Sequence, residues 1–386
     1  MRRAFKFRLY PNVNQSRELG IMLETHRRLY NAALEQRKLA YETRSLSLNY
    51  CAQANQLKEL RADDPYQGRT NFSSEQATLR RLDKAYQNFF RRCKQGSKAP
   101  GFPRFKGRDH FDSIEFPSYG DGIRLKGNRL RVQYVGTLRT KVHRIVEGEV
   151  KTATLKHEAS KWFVVLSCDL GDVTVPPSTL PPVGIDVGLE AFLTTSDGAP
   201  PVENPRYLKV ELPKLRRFQR AVSRKKKGGR NRRKASHRVR VLHTSVRNLR
   251  HEHHHQIALK LIRLYGLIGV ESLNVSNMLK NHSLARAISD AGWAGFVNIL
   301  RCKAERAGVE IVAVNPHGTS QNCSRCDKPV PKKLSDRWHI CPHCGLSLHR
   351  DENAARNILK RALQARTGPA DLKSNPALVR EAVCFS

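Results

Sequence analysis

"PVGIDVGLEAFLTTSDG", residues 182–198, carries a charge where a strand would bury one. Val183, Ile185 and Val187 form an apolar run interrupted by Asp186, and "AFLTT" resumes it beyond a glycine, so the stretch reads as two strands with an acid at the end of the first. An unpaired carboxylate buried there costs on the order of several kcal/mol, so something must compensate for it. The same grammar returns in "LYGLIGVESL", residues 264–273, where Glu271 directly follows a second buried-strand pattern. A third acid, Asp351, stands where an N-cap belongs. It precedes a helix whose Ala354, Ala355, Ile358, Leu359, Ala362 and Leu363 share one apolar side.

Each acid alone has an ordinary explanation, a plain cap for Asp351 and a surface strand end for the other two. Their conjunction in a strongly basic chain points elsewhere. Seventy Lys and Arg stand against 34 Asp and Glu, a formal charge of +36, and such a surface seeks a polyanion. Two strand-end acids with one at a helix start are how an RNase H-like nuclease gathers oxygen ligands for two divalent ions. Oxygen donors select Mg²⁺ or Mn²⁺. Such ions, about 4 Å apart, activate water and stabilise the leaving oxygen in phosphodiester hydrolysis. Asp186, Glu271 and Asp351 are therefore the expected catalytic ligands.

Between the second and third acids lie Cys323-x2-Cys326 and Cys341-x2-Cys344, fourteen residues apart. Each pair presents two thiolates from one tight turn, and four thiolates leave no open coordination position, so the expected ion is a structural Zn²⁺. An iron–sulfur cluster fits less well, because the flanking Ser324, Arg325, Pro342 and Gly345 suit a ribbon knuckle. Such a ribbon is expected to fold independently and to carry a nucleic-acid-binding tip beside the active site without disturbing Asp351. Cys51, Cys93, Cys168, Cys302 and Cys384 are scattered and read as ordinary thiols.

The N-terminal half is written differently. "AFKFRLYP" alternates apolar and basic residues before a Pro-Asn turn, a short strand with one buried face. From about Asn14 to Cys93 apolar residues recur at three and four, among them Leu19, Met22, Leu29, Tyr30, Leu34, Leu79, Leu82, Phe89 and Phe90, which predicts a helical bundle. "GSKAPGFPRFKGRD" is a loop. Period-two patterning then returns around turns at Gly127-Asn128 and Glu158, an antiparallel β unit that the first strand could complete as a barrel, making the helices an insertion. The proline-rich "VTVPPSTLPP" is a linker. With 39% hydrophobic residues in 386, two or three domains are expected. No stretch approaches the roughly 20 apolar residues of a membrane span, and the basic start lacks a signal-peptide core, so a cytoplasmic protein is expected.

"RKKKGGRNRRKASHRVR", residues 224–240, holds ten cations and no acid. Helical patterning on both sides makes it the turn of a hairpin whose Arg224, Lys225, Lys226, Lys227, Arg230, Arg232, Arg233 and Lys234 would meet phosphates without reading sequence. The adjacent histidines of "HEHHH" do not share one helix face, so they do not form a metal site.

"FRLYPN", "NFFRRCKQGSKAPGFPRFKGR", "GIDVGL", "IGVESLNVSNMLKN", "LARAISDAGW", "SQNCSRC" and "CPHCGLSLHRDENAARNIL" follow one another along nearly the whole chain. In kind and order they resemble the motifs of the TnpB (OrfB) family, transposon-associated proteins similar in catalytic architecture to type V CRISPR effectors. His349, where family members often carry Asp, is a departure. The resemblance implies an RNA-guided DNA endonuclease with a RuvC-like site built by Asp186, Glu271 and Asp351. It implies a noncoding guide RNA from the transposon end, a double-stranded DNA target and a short motif beside that target. It also implies an α+β multidomain fold: a wedge β-barrel over 1–12 and 106–180, split by a helical recognition domain over 13–105. A RuvC-like core over 181–318 and 347–370 would hold a zinc ribbon over 319–346, with a tail over 371–386. In that setting the amide of Gln76 could read an adenine edge in the motif duplex. A nuclease-inactive DNA-binding regulator and a strand-transferring transposase are the alternatives.

Overall fold

Alternation in the first ten residues produces a strand with one dry face, and the rest of the N-terminal half is organised around it. The structure is a computed structural model that describes residues 1–172, 174–333 and 336–367. They fall into two compact units, residues 1–172 and those from Thr174 onward. The expectations for Cys384 and the tail over 371–386 lie outside the described residues.

In the first unit, β1 (Arg2–Tyr10) buries Phe5, Phe7 and Leu9. Asn12 then closes a capping box with Gln15 and starts α1 (Val13–Arg44). Three more helices follow: α2 (Tyr50–Asp63), α3 (Pro65–Gly68) and α4 (Phe72–Lys94). The chain returns to strands at β2 (Ser113–Phe116), β3 (Ile123–Lys126), β4 (Arg129–Val132), β5 (Gly136–Lys141), β6 (Glu149–Glu158) and β7 (Lys161–Asp169). The sheet runs β2-β6-β7-β1-β5-β4-β3, antiparallel throughout, so all four helices are inserted between β1 and its own sheet. Its order has two ends, β2 and β3, with no ladder between them among the described residues.

The helical periodicity serves two cores. Leu19 and Met22 pack with the sheet residues Phe5, Phe7 and Leu9, whereas Leu29, Tyr30, Leu34, Leu57, Leu79 and Leu82 form a separate helical core. Phe89 and Phe90 belong to neither. Phe89 meets Phe102 of the following loop edge-on and lies beside Phe90, which is 53% exposed.

The second unit begins with β8 (Pro182–Val187), β9 (Ala191–Thr195) and β10 (Val202–Glu203), followed by a hairpin of α5 (Tyr207–Ser223) and α6 (Arg230–Leu264). Next come β11 (Leu267–Glu271), α7 (Val275–Met278), α8 (Ala285–Ala291), α9 (Trp293–Ala307) and β12 (Glu310–Val314). A small hairpin of β13 (Trp338–Ile340) and β14 (Ser347–His349) leads into α10 (Arg350–Thr367). The sheet order is β10-β9-β8-β11-β12, with β8, β11 and β12 parallel and β9 antiparallel to both its neighbours.

Helix α10 lies against β8 and β11 more closely than a strand residue with a side chain would allow. A Cβ at Gly184 would press into the backbone of Ala355 and Leu359, and one at Gly269 would come within 2.9 Å of the Ala362 Cβ. These two glycines sit in the middle of "VGID" and "IGVE" because the helix backbone takes the space of their side chains. On the opposite face Val183, Ile185, Ile268 and Val270 share a core with α6 and α9. Residues two apart on a strand share a face, so Asp186 and Glu271 lie on the same side as their glycines, the side covered by α10.

Candidate active site and metal centre

The ladder between β8 and β11 pairs Leu267 with Pro182 and Gly269 with Gly184. Two further steps of that register set Glu271 beside Asp186 at the ends of adjacent parallel strands. Helix α10 crosses these strands with its start at Arg350, which brings Asp351 to the same end. The electrostatics report the convergence. Burial pushes the Asp186 carboxyl well above the usual range, and the negative charges of Glu271 and Asp351 push it further. Arg350 and the Val187 N–H oppose the rise. Burial also raises Glu271, against the pull of Thr319 and Arg361.

Asp351 does not act as the helix cap. The helix begins one residue earlier, and the His349 ring accepts the Asp351 backbone N–H at Nδ1, 3.2 Å away. His349 thus caps the helix, and the Asp351 carboxylate lies 3.9 Å from its ring. Asp290, in the "SDAGW" segment, has the opposite fate. It accepts the Leu208 and Lys209 backbone N–H groups at 2.9 to 3.2 Å and caps α5 from a distance of eighty residues in the chain. This buried acid is therefore already engaged in holding the fold.

The four cysteines expected to bind a metal converge. Their sulfur atoms all lie within 4.8 Å of one another, with Cys323 to Cys344 at 3.5 Å and Cys326 to Cys341 at 3.6 Å. A tetrahedral ion with Zn–S bonds of about 2.3 Å needs sulfurs about 3.8 Å apart, so the donor set fits a structural Zn²⁺. The two knuckles are built alike. Asp327 N–H returns to the Cys323 carbonyl and Gly345 N–H to the Cys341 carbonyl, each at 3.0 Å, and both Asp327 and Gly345 have positive φ. Burial works against a thiolate at Cys341, yet the backbone N–H groups of His343 and Cys344 hold it down to about 6.

The ribbon is tied to α10 by hydrogen bonds. Along one stripe of α10, Asn353 accepts from Ser324 N–H at 2.9 Å and donates to the Asn322 carbonyl at 2.7 Å. Asn357 donates to the Asn322 and Thr319 carbonyls at 2.7 and 2.9 Å, and Arg361 to those of Asn315 and His317 at 2.7 Å. The Thr319 hydroxyl then reaches Glu271 Oε1 at 2.6 Å, with the Pro316 carbonyl at 2.8 Å as its other acceptor. The foot of the ribbon therefore holds one of the three acids. Its signal in the sequence was the pair of asparagines in "ENAARN", polar residues spaced four apart within an otherwise apolar helix face.

The basic hairpin forms as expected, with Arg224, Lys225, Lys226, Lys227, Arg230, Arg233 and Lys234 exposed around its turn. Arg232 has a different task. Its guanidinium donates to the Val222 and Lys225 carbonyls at 2.9 and 3.0 Å and closes the end of α5. Gln76 is half-buried in the second turn of α4, in the other unit from the acids. Of the "HEHHH" residues, His254 is buried and bonds the Ala291 carbonyl at 3.0 Å.

Residues 165–282 match a family model described as a probable transposase of the OrfB type, and 293–358 match the Cas12f1-like TNB domain. Residues 1–45 match a model described as a helix-turn-helix domain, although they fold as β1 and the single helix α1. A "Putative RNA-guided DNA endonuclease" of Streptomyces pristinaespiralis is 33% identical, covering 97% of this chain and 96% of its own. InsQ of Escherichia coli K12, which carries the same description, is 30% identical over 92% and 91%. The solved mini-RNA-guided endonuclease CRISPR-Cas_phi3 aligns over 94% of this chain and 92% of its own, at 10% identity and a TM-score of 0.49. On full-length identity to these curated relatives and on the matching models, the chain belongs to the TnpB (OrfB) family, related to the type V effectors.

Proposed function

We propose that this protein is a transposon-encoded, RNA-guided DNA endonuclease that cleaves by metal-dependent phosphodiester hydrolysis. The observation that carries the reading is that Asp186 is buried at a strand end beside the like charges of Glu271 and Asp351, both of which raise its carboxyl further. Family membership supplies the guide. The strand order of the second unit, 3-2-1-4-5 when its strands are numbered from β8, supports an RNase H-like, RuvC-like core. The first unit then serves as a wedge-like β domain with an inserted helical recognition segment.

Mg²⁺ or Mn²⁺ bound at the three carboxylates supplies charge for the attacking water and the leaving oxygen. The chain's own part is to hold those carboxylates unprotonated and aligned. Thr319 and Arg361 favour the charged form of Glu271, Arg350 and the Val187 N–H that of Asp186, and the rigid approach of α10 sets Asp351. Zn²⁺ stays with the ribbon, where four thiolates leave it no open position. The exposed cations of the α5–α6 hairpin hold nucleic-acid backbone, and sequence is read by the RNA from the transposon end. Among the described residues no helix is long and apolar enough to cross a membrane.

The test supplies two guide RNAs differing only in the targeting stretch, each against both cognate plasmids with the same adjacent motif. Cutting should follow the guide and stop without RNA. Cutting that ignores the guide would leave an ordinary nuclease, and joined rather than cut ends would favour the transposase.

A further inference from the structure

Two asparagines of α10, Asn353 and Asn357, are 0% and 4% exposed, on a buried stripe where a helix ordinarily carries apolar side chains. Both are engaged with one short segment. The Asn357 amide donates to the Thr319 carbonyl at 2.9 Å and to the Asn322 carbonyl at 2.7 Å. Between those carbonyls the chain is closed on itself, because the Asn322 N–H returns to the Gly318 carbonyl at 2.9 Å. Residues 318–322 therefore form one braced turn.

Each end of this turn meets a different metal centre. At one end the Thr319 hydroxyl, in a residue 2% exposed, reaches Glu271 Oε1 at 2.6 Å. At the other end Asn322 is followed directly by Cys323, a sulfur donor of the ribbon. Asn353 fastens both neighbours of that cysteine, since it donates to the Asn322 carbonyl and accepts the Ser324 N–H. The knuckle and the catalytic ligand thus share one brace.

We propose that Asn357 is a positioning residue for Glu271, acting through the 318–322 turn and the Thr319 hydroxyl, and that this turn couples zinc occupancy of the ribbon to divalent-ion binding at the three acids. A ribbon that loses its ion loses the constraint that gathers four sulfurs within 4.8 Å, and Cys323 and the turn before it are then free to shift. A shift of a few tenths of an ångström is enough to take the Thr319 hydroxyl off Glu271. Linkage is reciprocal, so an ion at either centre favours the other by the same factor. The inference rests on the nuclease reading of the acids and adds a condition to it: the acids are fully aligned only while the ribbon holds its zinc.

The experiment uses the full protein and counts bound Mn²⁺ from the loss of the free-ion EPR signal. Zinc-loaded wild type should bind Mn²⁺ about tenfold more tightly than zinc-stripped wild type, as expected when a metal ligand loses its support. In Thr319→Val the affinity should already be about tenfold lower with zinc bound, and stripping should change it no further. Thr319→Ser should restore both the affinity and its dependence on zinc. Asn357→Leu should behave like Thr319→Val, and the double variant should be no weaker than either single one, because both substitutions cut the same link. In the reverse direction, Mn²⁺ should slow zinc release to a chelating dye about tenfold in wild type and leave it unchanged in Thr319→Val. A purely structural role for Asn357 gives additive losses in the double variant, and unfolding on zinc removal weakens Mn²⁺ binding in Thr319→Val as well. Either result, or equal Mn²⁺ affinity of wild type with and without zinc, overturns the coupling and leaves the nuclease reading standing. Should Asn357→Leu fail to fold, the zinc dependence of the Thr319 variants decides. Mn²⁺ binding that is unchanged by Asp186→Asn overturns the nuclease reading as well.

Discussion

Glu75 in the first unit and Asp186 in the second are both carboxylates withdrawn from water, and the chain surrounds them in opposite ways. Glu75 is fully buried and accepts from both the Arg61 guanidinium and the Thr70 hydroxyl. Arg61 is in turn fixed to the Gln67 and Thr70 carbonyls at 3.0 Å. Burial raises the Glu75 carboxyl, and these donors draw it back. At Asp186 burial raises the carboxyl too, but its acidic neighbours Glu271 and Asp351 add to the rise. The first acid is closed by the fold and needs nothing else. The second is left with excess negative charge, which a fold tolerates where a cation from outside completes the site.

The largest expected effect removes the open acid. Asp186→Ala, like Glu271→Gln and Asp351→Ala, should lower guided cleavage by at least about a thousandfold, equivalent to about 4 kcal/mol of barrier. RNA binding should stay near wild type, as a gel-shift titration alongside the cleavage assay would show. Retained cutting by any one variant would strike that residue from the triad and weaken the contrast with Glu75.

Breaking the closed acid should act on stability instead. Arg61→Met leaves Glu75 buried with its charge partner gone, and should cost about 3–5 kcal/mol in denaturant unfolding of the first unit. A loss well below 1 kcal/mol would mean that Thr70 alone suffices, and that the two acids differ less than their surroundings suggest.

A change between these extremes concerns Thr319, which gives Glu271 the kind of donor that Glu75 has in Thr70. Thr319→Val should slow cleavage about 10- to 100-fold, the usual effect of removing a partner of a metal ligand. It should also raise the Mg²⁺ concentration for half-maximal rate, and Thr319→Ser should restore both. Equal loss in the serine and valine variants would make the hydroxyl irrelevant.

The smallest effect reverses the sign of an ordinary mutation. In metal-free protein Asp186→Asn should melt a few degrees higher than wild type near pH 8, because it removes repulsion among three acids. Since the folded carboxyl protonates at a higher pH than the unfolded one, its destabilising charge is complete only above the raised value. The advantage of asparagine should therefore shrink as pH falls toward the usual aspartate range, near 3.8. Scanning calorimetry in chelator across pH would show this, and a variant less stable than wild type at every pH would contradict the repulsion.

Much of the site was visible in the sequence because its parts are local. An acid after an apolar run, a second after another, and CxxC pairs each announce themselves within a few residues; in the structure Asp186 feels the charges of Glu271 and Asp351, and the four cysteine sulfurs gather within 4.8 Å. Periodicity also found the helices of the first unit. It could not divide them between cores, since Leu19 and Leu34 obey the same spacing yet face different partners.

Chain-local chemistry was enough to name the elements, the ligand types and the basic hairpin, because periods of two and 3.6 and the reach of a tight turn are properties of adjacent residues. Tertiary packing settled what lies across the chain. It set how Gly184 and Gly269 admit α10, why His349 rather than Asp351 caps that helix, and how Thr319 reaches Glu271 across 48 positions. A hydrogen bond depends on a few tenths of an ångström between groups whose separation in the chain carries no such information.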